Sequence, residues 1–189
     1  MSDQEYFTVH HALTINVEPL PTSFVFPDLL ELITEIPPVF TIATEFSQLE
    51  ALRDNAKNEL KKSDFKHLLQ LLDTQDNKLN LLLNFMLSQY DEAKYRRQTQ
   101  QFGASLLTYI DSQALELEQK IRLKLFLQHP AAAIYCYAHV SDCQPQEDGY
   151  LITLKYDRLR EDDQDLLIKA ALYQQTQLLR QRALVREQH

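Results

Sequence analysis

Six histidines, two cysteines and a run of acids are the residues of this 189-residue chain whose types could do chemistry. Metal binding needs such ligands at spacings that let one segment present two of them together. His10, His11, His67, His129 and His139 are scattered, and none stands in a metal-ligand spacing. Cys136 and Cys143 lack the CxxC spacing and lack a His and Asp context that would make either a nucleophile. They read as reduced thiols, in a strand and in the turn after it, of a cytosolic protein. Glu161, Asp162, Asp163 and Asp165 could mimic paired catalytic carboxylates. They also crowd the start of a predicted helix, where the dipole favours negative charge, and that accounts for them without chemistry. No serine sits in a GxSxG elbow. The side chains therefore point to a protein that is not an enzyme, with no cofactor and no metal.

Phosphate chemistry is constrained in the same way. Gly103 and Gly149 are the only two glycines, so neither GxGxxG nor a Walker-type loop can form. A net charge of −8 argues against nucleic acid and against an anionic membrane, since both need a basic footprint. A small anion would need a local arginine cluster working against that field. Arg96 and Arg97 are the positive pair just ahead of Gly103. Arg182 and Arg186 stand four apart on a predicted helix tail, where they complement the dipole. The start, MSDQEYFTVHH, has no basic region followed by an apolar run and does not read as a signal peptide. No apolar stretch reaches the ~18 residues that span a bilayer, and a cytoplasmic location is expected.

The element that dominates the chain is a heptad stripe. Phe65, Leu68, Leu72, Gln75, Leu79, Leu82 and Met86 follow one another at alternating steps of 3 and 4. This spacing keeps one seam of a helix facing a partner. With Phe65, Leu72, Leu79 and Met86 as a positions, Leu69 and Leu83 fall at e, and Leu71 and Phe85 at g. A two-stranded coil buries mainly a and d, so this wider stripe needs a larger bundle or a surface of its own domain. No a position is β-branched, which argues against a dimer. The expectation is a homo-oligomer, tetramer before dimer, with Phe65, Leu68, Leu69, Leu72, Gln75, Leu79, Leu82, Leu83 and Met86 in its interface. Gln75, a lone amide at a d position, would fix its register. The plain alternative is one long helix docked on its own globular body.

Around this helix the chain divides into four segments. Leu13, Ile15 and Val17 alternate as a strand that Pro19 and Pro21 end. Pro27, Pro37 and Pro38 then flank LLELITEI, a short helix or turn, before VFTIAT, a predicted short strand. Ser47 with Glu50 predicts a capping box opening a helix, and a break near Ser63 or Asp64 precedes the heptad helix, which runs to about Tyr90. After it the period changes to 2. ASLLTYI, KIRLKLFL, IYCYAHV and YLITLKY read as strands, with turns at HPAA and at QPQEDG. A helix from Glu161 to about Arg186 closes the chain. The fold class is α+β with a mainly β core: a small antiparallel barrel with a C-terminal helix and a long inserted helical segment. The expected divisions are 1–45 for the first strand and its proline-rich connection, 46–92 for the helical insert, and 93–189 for the barrel core and closing helix.

The fourth segment resembles the PilZ domain, a six-stranded barrel with a C-terminal helix. RRQTQQFGASLLTY is similar to the family's D/N-x-S-x-x-G stretch and the strand after it. QKIRLKLFLQHPAAAIYCYAHVSDC is similar to its central strand pair. DGYLITLKYDRLREDDQDLLIKAALYQQTQLLRQR is similar to its last strand, acidic turn and closing helix. The resemblance covers about residues 94 to 186, and YFTVHHALTINVEPL would supply the first strand. It is nearest to divergent PilZ proteins that self-assemble through inserted heptad helices. It implies a bacterial signalling role connected with cyclic di-GMP. The family clamps that ligand with two arginines in RxxxR, a planar fork that bonds guanine and phosphate bidentately. Here no arginine precedes Arg53. Gln98 and Gln100 stand where the family has Asp or Asn and Ser, and only Gly103 is kept. The resemblance thus implies a scaffold acting by self-assembly and by contact with an unknown protein, with cyclic di-GMP binding lost. The alternative is a receptor using Arg96, Arg97, Gln98, Gln100 and Gly103 in an unorthodox site.

Overall fold

The computed structural model describes residues 7–61 and 65–187. Seven antiparallel strands form one sheet: β1 (Thr8–His10), β2 (Thr14–Pro19), β3 (Arg96–Gly103), β4 (Leu106–Asp111), β5 (Lys120–Gln128), β6 (Ala131–Gln146) and β7 (Gly149–Arg158). Their order is β1-β3-β2-β5-β6-β7-β4, and β4 pairs back onto β3 to close the sheet. β1 lies along Gln101–Gly103 and β2 along Arg96–Gln98, so the two are successive pieces of one stave. The result is a six-stave antiparallel barrel with helices added, an α+β fold.

Alternation builds its interior. On β5, Ile121, Leu123, Leu125 and Leu127 point inward, opposite Ala138, Cys136, Ile134 and Ala132 of β6. Ile15, Leu107, Tyr109, Ile152 and Leu154 complete the core from the other staves. β6 is unusual because its outer face is buried as well. The segment before the helical insert wraps over it. Phe24 and Phe26 pack their rings on Tyr137. α1 (Leu29–Glu35) ends at Glu35, whose carboxylate accepts from Tyr135 Oη at 3.1 Å and Tyr137 Oη at 2.5 Å. α2 (Pro38–Gln48) then lies on β6, with Phe40 against the Phe126 ring.

Three readings of the sequence are corrected. VFTIAT is helical, within α2, and not a strand. Pro38 opens the helix at a position where its missing N–H costs nothing. Phe40, Ala43, Thr44 and Ser47 then bury one helical face, and this packing overrides the β-branched propensity. Ser47 is also not an N-cap. It lies in the last turn of α2 and donates to the Thr44 carbonyl at 2.7 Å. Cys143 belongs to β6, and not to a turn after it.

α3 (Glu50–Lys61) and α4 (Lys66–Ser88) are separated at the expected break, whose proposed caps Ser63 and Asp64 lie outside the described residues. α5 (Glu161–Glu187) packs on β1, β3 and α2. Arg182 is exposed on it, and the Arg186 side chain lies outside the described residues. Among the described residues, no helix is long and apolar enough to cross a membrane.

Candidate functional site

RRQTQQFG is itself a strand, β3, a feature its polar sequence hid. Neighbours on a strand point to opposite faces, so Arg96 and Arg97 diverge. Each is held by a different carboxylate: Arg96 Nε donates to Asp91 at 2.7 Å, and Arg97 Nε to Asp111 at 2.5 Å. Gln98 Nε2 donates to Thr14 Oγ1 at 3.2 Å, and Gln100 is exposed at an irregularity in the β3–β4 register. The five residues share a strand without converging on one pocket.

Gly103 has a packing role. A Cβ there would lie 2.1 Å from the Phe7 carbonyl oxygen, a backbone atom that cannot swing aside. Gly103→Ala should therefore push the start of β1 off β3 and cost about 1–3 kcal/mol. Chemical denaturation checks this, and an unchanged midpoint would show that β1 gives way freely.

The heptad helix divides its apolar arc. Leu83 and Leu87 are 7% and 2% exposed, docked on the domain, and Leu69 and Leu72, earlier on the helix, are half-buried. Leu83 is thus a core residue of its own subunit. The d and g positions turn outward: Leu82 is 58% and Phe85 65% exposed, with Leu68, Leu71 and Gln75 along the same face. Phe65, Leu79 and Met86 are exposed too. α3 folds back as the other arm of a hairpin. Lys57 Nζ bridges Asp73 at 2.6 Å and Asp76 at 2.8 Å, and these hydrogen bonds, Asp73's first, hold the ammonium above its ordinary pKa. The ion pairs lie on the side toward α3, and the outward face carries Leu68, Leu71, Leu82 and Phe85 with Gln75 and Lys78 among them.

Among the described residues no group of three or more His, Cys, Asp or Glu side chains could hold a metal. Cys136 is buried in the barrel and free, and burial pushes its thiol well above its usual range. His139 Nδ1 lies 2.7 Å from Asp157 Oδ2 on the barrel's outer face.

No family model matches the chain, and a search of curated proteins finds no match. Solved structures do match. One is the inhibitor of motility MotI/DgrA of Bacillus subtilis, at 11% identity and a TM-score of 0.48. The match covers 94% of this chain and 53% of that one, so this chain spans about half its length. Another is a protein of Xanthomonas campestris described as a tetrameric PilZ domain self-assembled via a helical bundle. There the identity is 12%, the TM-score 0.55, and the match covers 93% of this chain and 91% of that one. The fold of this chain is that of a PilZ domain.

Proposed function

We propose that this protein is a non-catalytic, PilZ-fold scaffold of bacterial signalling that works by self-association and protein contacts and does not bind cyclic di-GMP. The outward apolar face of α4 carries this reading. Leu68, Leu71, Leu82 and Phe85 are exposed although the adjoining part of the apolar arc is already docked. An apolar surface of that length on a free monomer is a solubility hazard. A wide face suits a bundle, so a tetramer is preferred and a dimer comes second. The Xanthomonas campestris neighbour, described as tetrameric through a helical bundle, supports the same arrangement. The partner protein is not specified by this surface. The charge of −8 speaks against nucleic acid and anionic membranes as partners. The cytoplasm is the compartment that suits two free thiols.

Loss of the ligand is supported by what Arg96 and Arg97 do. A clamp needs two forks aimed at one ligand, and these two diverge, each engaged by its own aspartate. Losing two bidentate contacts weakens a micromolar ligand to roughly millimolar or beyond. Calorimetric titration with cyclic di-GMP should show no saturable heat, in the natural protein and in the Gln98→Asp, Gln100→Ser double variant alike. Micromolar binding by the natural protein overturns the scaffold reading. Micromolar binding gained by the double variant would make Arg96 and Arg97 a working clamp.

A further inference from the structure

We propose that the outer side of the segment that wraps over β6, from Val25 to Ile33, forms with the end of β7 a docking site for a basic, amphipathic segment of a partner protein. Four large apolar side chains stand out from it within nine residues: Val25, Leu29, Leu30 and Ile33. Val25 at 80% and Leu30 at 76% are the two most exposed large apolar side chains among the described residues. The segment does not need them for its own attachment. α1 is seated through the buried Leu32 and Ile36, and the chain before it through Phe24 and Phe26 on Tyr137. On a helix Leu29 and Ile33 lie one turn apart with Leu30 beside them, so the three form one ridge next to the seated face. Where α1 meets the end of β7 a cleft of about 570 Å³ opens, lined by Leu29, Leu30 and Leu159 with Asp28, Asp157 and Arg158. A largely apolar recess with a few polar groups is the kind of place that receives anchoring side chains.

Charge names the occupant. Residues 1–52 carry eight carboxylates and neither Lys nor Arg, whereas from Arg53 onward nineteen acids and nineteen bases cancel. The whole net charge of −8 thus belongs to the part of the chain that holds this surface. Asp28, Glu31 and Glu35, in α1 and at its cap, are exposed. Their hydrogen-bond donors are neutral. Asp28 and Glu31 each accept from the other's backbone N–H, and Glu35 accepts from two tyrosine hydroxyls. Two cations do approach the segment, and both are turned to backbone. Arg158 donates to the carbonyls of Pro27 and Asp157, and Lys120 to that of Phe24. They fasten the segment to the barrel. An apolar ridge flanked by these carboxylates suits a chain whose apolar side chains enter the cleft and whose lysines or arginines reach its rim. The same charge opposes an anionic lipid surface. No residue of α4 lines the cleft, so this surface is separate from the self-association face. It rests on the reading of the protein as one that works through protein contacts, and it supplies the partner chemistry that α4 leaves open.

The test is fluorescence anisotropy of a labelled synthetic peptide of leucine and lysine, patterned as an amphipathic helix, titrated with the full chain. Saturable binding is expected, weakened about tenfold or more by Leu29→Ser with Leu30→Ser. Asp28→Asn removes a charge, keeps the helix cap and should weaken binding several-fold. All three side chains are exposed, so the variants should fold, and circular dichroism verifies it. A peptide with glutamate in place of lysine should not bind. Leu68→Asp with Leu82→Asp should leave the affinity for the lysine peptide unchanged, whatever it does to the oligomer. The proposal is overturned if the lysine peptide does not bind, binds no better than the glutamate peptide, or keeps its affinity in the Leu29, Leu30 variant. Loss of binding in the Leu68, Leu82 variant would place the peptide on α4 and overturn it as well. A fall in mass of the Leu29, Leu30 variant in light scattering would make the occupant a second copy. Sedimentation with phosphatidylcholine vesicles that the same variant loses would make it a lipid surface. Either result overturns the proposal.

Discussion

Replacing Leu68 and Leu82 together by Asp should reduce the protein in solution to smaller species, ending at a single folded subunit. Both are d positions, two heptads apart, and they are 42% and 58% exposed. Neither belongs to the buried core of its own subunit, so the fold has little to lose. In a bundle each would be covered. Burying one leucine side chain is worth about 1.5–3 kcal/mol, and every subunit contributes two. The substitution replaces that gain with carboxylates facing one another in an apolar seam, where unpaired charge is costly. Light scattering reads the mass and circular dichroism reads the fold. Leu83→Asp is the contrasting variant. It strikes a core residue on the adjoining, docked side of the same apolar arc and should unfold the domain before any assembly is tested. An unchanged mass for the Leu68, Leu82 double variant would place the contacts of any oligomer elsewhere. A natural protein that is itself monomeric would refute self-association through α4.

How far the sequence foretold this molecule depends on whether each element has one job. β5 was legible because only one of its faces meets the interior, so Ile121, Leu123, Leu125 and Leu127 keep a strict period of 2. β6 is buried on both faces from Ala131 to Ala138, and its outer cover, Phe24, Phe26 and Glu35, lies about a hundred residues earlier. β3 resembles a ligand motif in sequence because its inward side chains are few, Thr99 and Phe102 among them, and an irregularity between Thr99 and Gln101 breaks the alternation. VFTIAT misled because six residues are too few to separate a strand from a helix face when β-branched types dominate. The heptad stripe was fully visible, yet its division into a docked side and an outward side was not. That division depends on where the barrel sits, and only tertiary structure says so.

The acidic run at the start of α5 shows how a correct reading can still miss the residue that matters. Glu161, Asp162 and Asp163 do occupy the first turn, as the dipole favours. Asp163, however, is fully buried, and Arg160 grips it with Nε and Nη2, each at 2.8 Å. Burial raises the carboxyl pKa, and the Arg160 fork pulls it back only in part. The ionised pair therefore adds little net stability of its own, because desolvation consumes most of the attraction. Breaking it is another matter. Asp163→Ala should cost about 3–5 kcal/mol, because it strips a mostly buried guanidinium of its counter-charge and loosens the seat of α5 on the barrel. For a domain of this size that is a fall in Tm of about 10 °C. Asp162→Ala, one position away and exposed, should stay within about 0.5 kcal/mol. Replacing both partners, Arg160→Met with Asp163→Leu, should recover most of the loss, since no orphaned charge remains. Thermal unfolding of the four proteins decides it. If the double variant is as damaged as Asp163→Ala, the pair stabilises the fold outright; if Asp163→Ala melts with the natural protein, Arg160 reaches solvent and the buried carboxylate is dispensable.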